Sequence, residues 1–198
     1  MATASDDFNR ANSPNLGANW TQLNALDISI DTNEAVNLNV GGSAQLCWNL
    51  ATNTFGADQF SQWTIRAVPP GSFIYVIVRA SGSAGGGDEG HYDLRTDLTN
   101  TTIRKTINTV GTQLQDCGVG FSVGDVMRLE IRGNVLKAYK NGVQIGTDQA
   151  SGSELASGQP GIRMFDASVS ADNWSGGDLD PLPASGIPFT TMIDAKRI

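Results

Sequence analysis

Between Asp125 and Thr147 the chain reads VMRLEIR, Gly133-Asn134, VLKAYK, Asn141-Gly142 and VQIGT, three alternating segments joined by two-residue loops. Gly-Asn and Asn-Gly supply the positive backbone angles that tight hairpin turns require, so this stretch is an antiparallel three-strand meander. A chain carrying such a meander pairs its strands with their sequence neighbours, which puts it in the all-β class. What it does then depends on the surfaces a β-sandwich displays, because the fold alone does not specify an activity.

A length of 198 residues suits one sandwich with a sizeable core. Charged residues are 17% of the chain, below the roughly 25% of ordinary globular proteins. The 23 glycines favour turns over helices. A net charge of -7 gives no footprint for neutralising phosphates, which excludes nucleic acid and anionic membrane as main partners. No segment approaches the roughly 18 apolar residues of a membrane span. MATASDDFNR lacks a basic segment followed by an apolar one, so no export signal is expected. Cys47 and Cys117 lie far apart on predicted strands. Two buried thiols and one disulfide between the sheets both remain open.

Strands are expected where apolar residues alternate with polar ones. Asp7 to Asn9 opens one, Ala25 to Asp31 another, and Val36 to Val40 pairs with Ala44 to Leu50 through Gly41-Gly42. Gln59 to Val68 turns Trp63 and Ile65 inward and stops at Pro69-Pro70, because proline cannot donate to a ladder. Ser72 to Arg79 is apolar on both faces, which predicts a central strand in a sheet covered on both sides. The glycine-rich stretch Ser81 to Gly90 is a loop. His91 to Asp97 sets His91, Asp93, Arg95 and Asp97 against Tyr92, Leu94 and Thr96, giving a strand whose polar face is expected to be a solvated charge ladder. Ile103 to Thr109 and Thr112 to Cys117 pair across Val110-Gly111, and Gly158 to Met164 and Val169 to Ser175 complete the set.

The opening DDFNRANSPNLGANWT, the LEIRGNVLKAYKNGVQIGT meander, GQPGIRM and the closing SADNWSGG occur in the order found in a known family. Together they resemble the concanavalin A-like lectin and glucanase jelly rolls of the laminin-G-like group, over about Asp6 to Gly177. The resemblance implies a two-sheet antiparallel jelly-roll sandwich at 1–177 whose first and last strands pair near each other. Domains of this kind occur in lectins, glycan-cleaving enzymes, adhesion modules and phage virion proteins.

Glucanases of that fold carry their acids as a Glu-x-Asp-x-Glu run, and the corresponding residues here are Glu89-Gly90-His91-Tyr92-Asp93. Retaining hydrolysis needs a nucleophilic carboxylate and an acid/base carboxylate about 5 to 5.5 Å apart. The central His91 and the short Asp93 depart from that pattern, so no catalysis is expected. His91 is the sole histidine, which removes any His-rich metal site and leaves Ser-His-Asp chemistry without support. No cofactor is expected. Calcium stays open, because the resemblance allows a site built from loop acids, here Asp88, Glu89, Asp172 and Asp178.

Sugar binding uses exposed rings with polar neighbours to align hydroxyls. Trp20, Trp48, Trp63, Trp174 and Tyr75 are expected mostly in the core. Tyr139, and Tyr92 with His91 and Asp93 if their strand faces a groove, are the candidates for a glycan surface. From 178 to 198 the composition shifts to a proline-rich arm whose Ile187, Phe189, Met192 and Ile193 have no partner strand, which suggests docking on a neighbour. The expected role is a noncatalytic virion structural or decoration protein of a tailed phage. It would be held to other virion proteins or copies of itself as a homo-oligomer on the particle, and would touch surface polysaccharide weakly. The alternatives are an extracellular carbohydrate-binding module of a bacterial surface protein and a glycoside hydrolase.

Overall fold

The computed structural model describes residues 1–48 and 55–181. Among these, fifteen strands are present and no helix. They are β1 (Thr3–Asp6), β2 (Trp20–Gln22), β3 (Ser29–Asp31), β4 (Glu34–Val36), β5 (Ser43–Trp48), β6 (Gln59–Ala67), β7 (Phe73–Ser81) and β8 (Gly90–Thr96). The remainder are β9 (Thr101–Ile107), β10 (Val110–Asp116), β11 (Val126–Arg132), β12 (Val135–Lys140), β13 (Val143–Ala150), β14 (Gln159–Phe165) and β15 (Ser170–Asp178). One sheet runs β13-β12-β11-β6-β15-β4-β3 with β1 beside β15, and the other runs β10-β9-β8-β7-β14-β5-β2. Every pairing is antiparallel.

The two sheets face each other over a core in which Trp63, Ile65, Leu129 and Ile131 meet Val76, Val78, Leu94 and Ile162. Alternation along each strand decides which residues enter it: on β8, Tyr92 and Leu94 point in while His91 and Asp93 point to the opposite face. The meander β11 to β13 forms as its turns require, with positive φ at Gly133 (54°), Asn141 (51°) and Gly142 (80°). The first and last strands pair, Thr3 opposite Gly177 through Asp6 opposite Trp174. Ala2 N also donates to the Asp178 carboxylate at 2.9 Å.

Several expectations are corrected. The segment from Ala25 becomes a strand only at Ser29, because Asn24 and Asp27 bind nearby backbone amides and hold a loop. The segments around Val36 and Ala44 do not pair, since β4 and β5 lie in different sheets. Residues 37–42 carry the chain from one sheet to the other. Buried Asn37 fastens the crossing by donating to Gly42 O (3.0 Å) and Met164 O (3.3 Å), while Val40 stands 88% exposed. The β9–β10 turn is Asn108-Thr109, both at positive φ (47° and 67°), and not Val110-Gly111. The opening strand ends at Asp6, and Phe8 turns back into the core at φ 51°. Cys47 and Cys117 are both buried and no disulfide joins them.

Candidate functional site

The face of the seven-stranded sheet that points away from the core is not an ordinary wet surface. Register aligns its side chains in rows. One runs Gln45, Arg163, Tyr75, Arg95, Thr102 across β5, β14, β7, β8 and β9. The next runs Cys47, Gly161, Ile77, Asp93, Arg104, and a third pairs His91 with Thr106. Gln45, Cys47, Ile77, His91 and Asp93 are all 0% exposed. The solvated ladder expected for β8 is therefore wrong at His91 and Asp93. The sheet is strongly concave: β5 and β8 are three strand spacings apart, about 14 Å if flat, yet Gln45 Nε2 lies 3.1 Å from His91 Nδ1. Curvature makes side chains on this face converge and bury one another.

The convergence leaves polar atoms without partners. Gln45 Nε2 meets His91 Nδ1 at 3.1 Å, and His91 Nε2 approaches Asp93 Oδ2 at 3.4 Å without the alignment of a hydrogen bond. His91 Nε2, both Asp93 carboxylate oxygens, Gln45 Oε1, Thr102 Oγ1 and Thr106 Oγ1 are buried and make no hydrogen bond. Each such atom costs roughly 1–3 kcal/mol relative to a satisfied one. The same face carries rings: Phe73 is 6.4 Å from Tyr75 and 6.0 Å from Phe165. Arg163 stacks over Tyr75 at 4.9 Å and Arg95 over Phe73 at 4.6 Å. Burial pushes the Tyr75 phenol up, and Arg163, Arg95 and Arg104 pull against that shift from the same face.

The four expected glycan residues do not form one site. His91 and Asp93 stand together on the concave face. Tyr92 is 0% exposed in the core between the sheets, because strand alternation turns it away from its neighbours, so it cannot stack on a ligand. Tyr139 lies on the other sheet, half-buried in a groove of about 800 Å³ with Glu130, Lys137 and Asp148. There its hydroxyl donates to Glu130 Oε2 at 3.3 Å, and Lys137 pairs with Asp148 at 3.1 Å. Four of the groove's residues thus partner one another, while Arg132, which also lines it, has no carboxylate within 4.0 Å among the described residues. The expected docking residues Ile187, Phe189, Met192 and Ile193 lie outside the described residues.

Gln45, Thr102, Thr106, Arg104 and Arg163 were not singled out from the sequence, since each sits alone in an ordinary strand. One signal did point to them. Strand β7 is apolar on both faces, which is expected only where both faces are covered.

Of the four acids named for calcium, Asp88 accepts from Ser83, Asp172 from Asn173 N, and Asp178 from Ala2 N and Gly56 N. Among the described residues no three His, Cys, Asp or Glu side chains converge. Three of the four tryptophans, Trp20, Trp48 and Trp174, pack together. Trp48 stacks on Trp174 at 5.2 Å and Trp20 lies 4.6 Å from Trp174, with Trp48 alone partly exposed.

No family model matches this sequence, and no curated protein matches it. Solved structures do match in fold. A protein of unknown function with a galectin-like fold from Bacillus subtilis aligns with TM-score 0.63 at 13% identity, over 85% of this chain and 94% of that one. The carbohydrate-binding module CBM66 from Bacillus subtilis aligns at 0.59 and 14%, over 83% and 95%. A prokaryotic β-1,3-1,4-glucanase from a mouse hindgut metagenome aligns at 0.58 and 13%, over 90% and 99%. Identities this low establish a shared jelly-roll sandwich and nothing finer. The fold expected from the resemblance is thus present, and the virion setting is no part of the likeness.

Proposed function

We propose that this chain is a noncatalytic glycan-binding module and that sugar is held on the concave face of the seven-stranded sheet. The observation that carries this is the set of unpartnered buried atoms on His91, Asp93, Gln45, Thr102 and Thr106, on the same sheet face as the rings of Phe73, Tyr75 and Phe165. A pyranose presents hydroxyls that both donate and accept, together with an apolar ring face, so it complements both halves of that surface. Fold neighbours that include a carbohydrate-binding module support the same direction. Entry requires the partly exposed rim of Arg95, Arg104, Arg163 and Phe165 to part over the inner row. A phage particle gripped through the C-terminal arm draws no support from the described residues, and the module reading is the better founded.

Noncatalysis rests on composition at the run where the acids would lie: histidine holds the central place, and Glu89 precedes the strand at the end of a glycine loop. A glycan array followed by titration calorimetry tests the reading. Asp93→Asn and His91→Ala should weaken binding about tenfold or more, the worth of one well-made polar contact, while Tyr139→Ala should leave it unchanged. Loss of binding in Tyr139→Ala with Asp93→Asn unaffected would move the site to the other sheet. Glucan cleavage abolished by Glu89→Gln would make the chain an enzyme.

A further inference from the structure

The rim of the concave face carries a charge pattern that a neutral sugar does not explain. Among the described residues, every lysine and every arginine has a carboxylate within 4.0 Å except Arg95, Arg104, Arg163 and Arg132. Three of these four lie on this one face, in a chain of net charge -7. Twenty acidic residues were available to neutralise them.

Their geometry is prepared for an anion. Arg163 is steadied from both sides, its Nε donating to Ser43 Oγ at 2.7 Å and its guanidinium lying over Tyr75, while no carboxylate among the described residues comes within 4.0 Å of it. Arg95 is laid on Phe73 in the same manner. Arg104 lies against Gly111 of the neighbouring strand, where a Cβ would collide with its Nη2. A guanidinium held by stacking keeps its fork of N–H donors free for two-point contact with a carboxylate or sulfate. Acids on the same face include Asp93, which lies on the floor with His91, Asp116 at the edge, whose Oδ1 accepts from Gly118 N at 2.9 Å, and Asp97 just past β8, whose Oδ1 accepts from Thr99 N and Asn100 N at 2.9 and 2.6 Å. The surface is therefore cationic at its rim and hydroxyl-seeking at its floor.

We propose that the ligand is an acidic polysaccharide, one whose carboxylates or sulfates engage Arg95, Arg104 and Arg163 while its hydroxyls reach the Asp93, His91 and Gln45 floor. This rests on the glycan-binding reading and names its substrate class. The test compares polygalacturonate with its methyl ester, dextran sulfate with dextran, and polyglutamate as a polyanion without sugar, each titrated into the full chain.

Polygalacturonate or dextran sulfate should bind at least about tenfold more tightly than its uncharged counterpart, and raising salt from about 50 to about 500 mM should weaken the charged ligand alone. Arg95→Gln and Arg163→Gln should each remove about tenfold, and Arg132→Gln should change nothing. Equal binding of charged and uncharged partners overturns the proposal and leaves the glycan reading standing. Equal binding of polyglutamate overturns sugar recognition and leaves only charge. Binding to none of the five overturns both. The wild-type comparisons with salt and methyl ester decide the matter even if an arginine variant fails to fold.

Discussion

Asp6 shows how one side chain organises an end of the molecule. Its carboxylate accepts from Phe8 N (2.9 Å), Trp20 Nε1 (2.9 Å) and both terminal nitrogens of Arg10 (2.6 and 3.0 Å), joining β1 to the tryptophan cluster. Burial pushes this carboxyl up, but those hydrogen bonds together hold it below its ordinary range. A group depressed on folding stabilises the chain above its unfolded pKa and loses that contribution as pH falls through the folded one. Asp6→Asn should therefore cost roughly 1–3 kcal/mol at neutral pH, and urea unfolding of the two proteins should converge as the medium is made acid. Cys117 makes the opposite case: burial first, and then the Asp116 carboxylate, push its thiol up to about 11. Little thiolate exists near neutrality, so iodoacetamide should label the native protein slowly at pH 8 and quickly once it is unfolded.

At the scale of single strands, β14 depends on a residue without a side chain. A Cβ at Gly161 would lie 2.3 Å from Leu46 O on β5, a backbone atom that cannot step aside. Gly161→Ala should cost about 1–3 kcal/mol as β14 and β5 are forced apart, visible as a lowered melting temperature. Arg79 ties three loops to β7: from a backbone at φ 51° it donates to Ala57 O, Leu155 O and Gly133 O at 2.9, 2.9 and 2.7 Å. Arg79→Met keeps the stem but abandons three carbonyls, and should cost roughly 2–4 kcal/mol in the same measurement.

Elements announced by turn chemistry or by strict alternation were readable in advance: the meander, Gln59 to Val68, and the inward and outward sets of β8. The hairpins at Thr32-Asn33 and Asn108-Thr109 were not, because non-glycine residues occupy their positive-φ positions. Which strands share a sheet was equally hidden, since the crossing at Asn37 hangs on one buried amide. The concave face escaped for a related reason: rows such as Gln45, Arg163, Tyr75, Arg95 and Thr102 collect one residue from each of five strands. No linear motif records that.

For the molecule as a whole, stability should be graded from centre to edge. β7 is buried along nearly its whole length, whereas β10 and β13, the outer strands of their sheets, are largely exposed and meet each other through Gln115 Nε2 and Thr147 Oγ1. Amide exchange should accordingly be fastest in β10 and β13 and approach the global unfolding limit in β7 and β14. Uniform protection across both sheets would contradict this grading. The pairing of β1 with β15 has a separate outcome for any larger protein that contains this fold. Incoming and outgoing polypeptide run side by side there, so copies strung along one backbone would hang from it like pendants, each facing its surroundings without lengthening the thread.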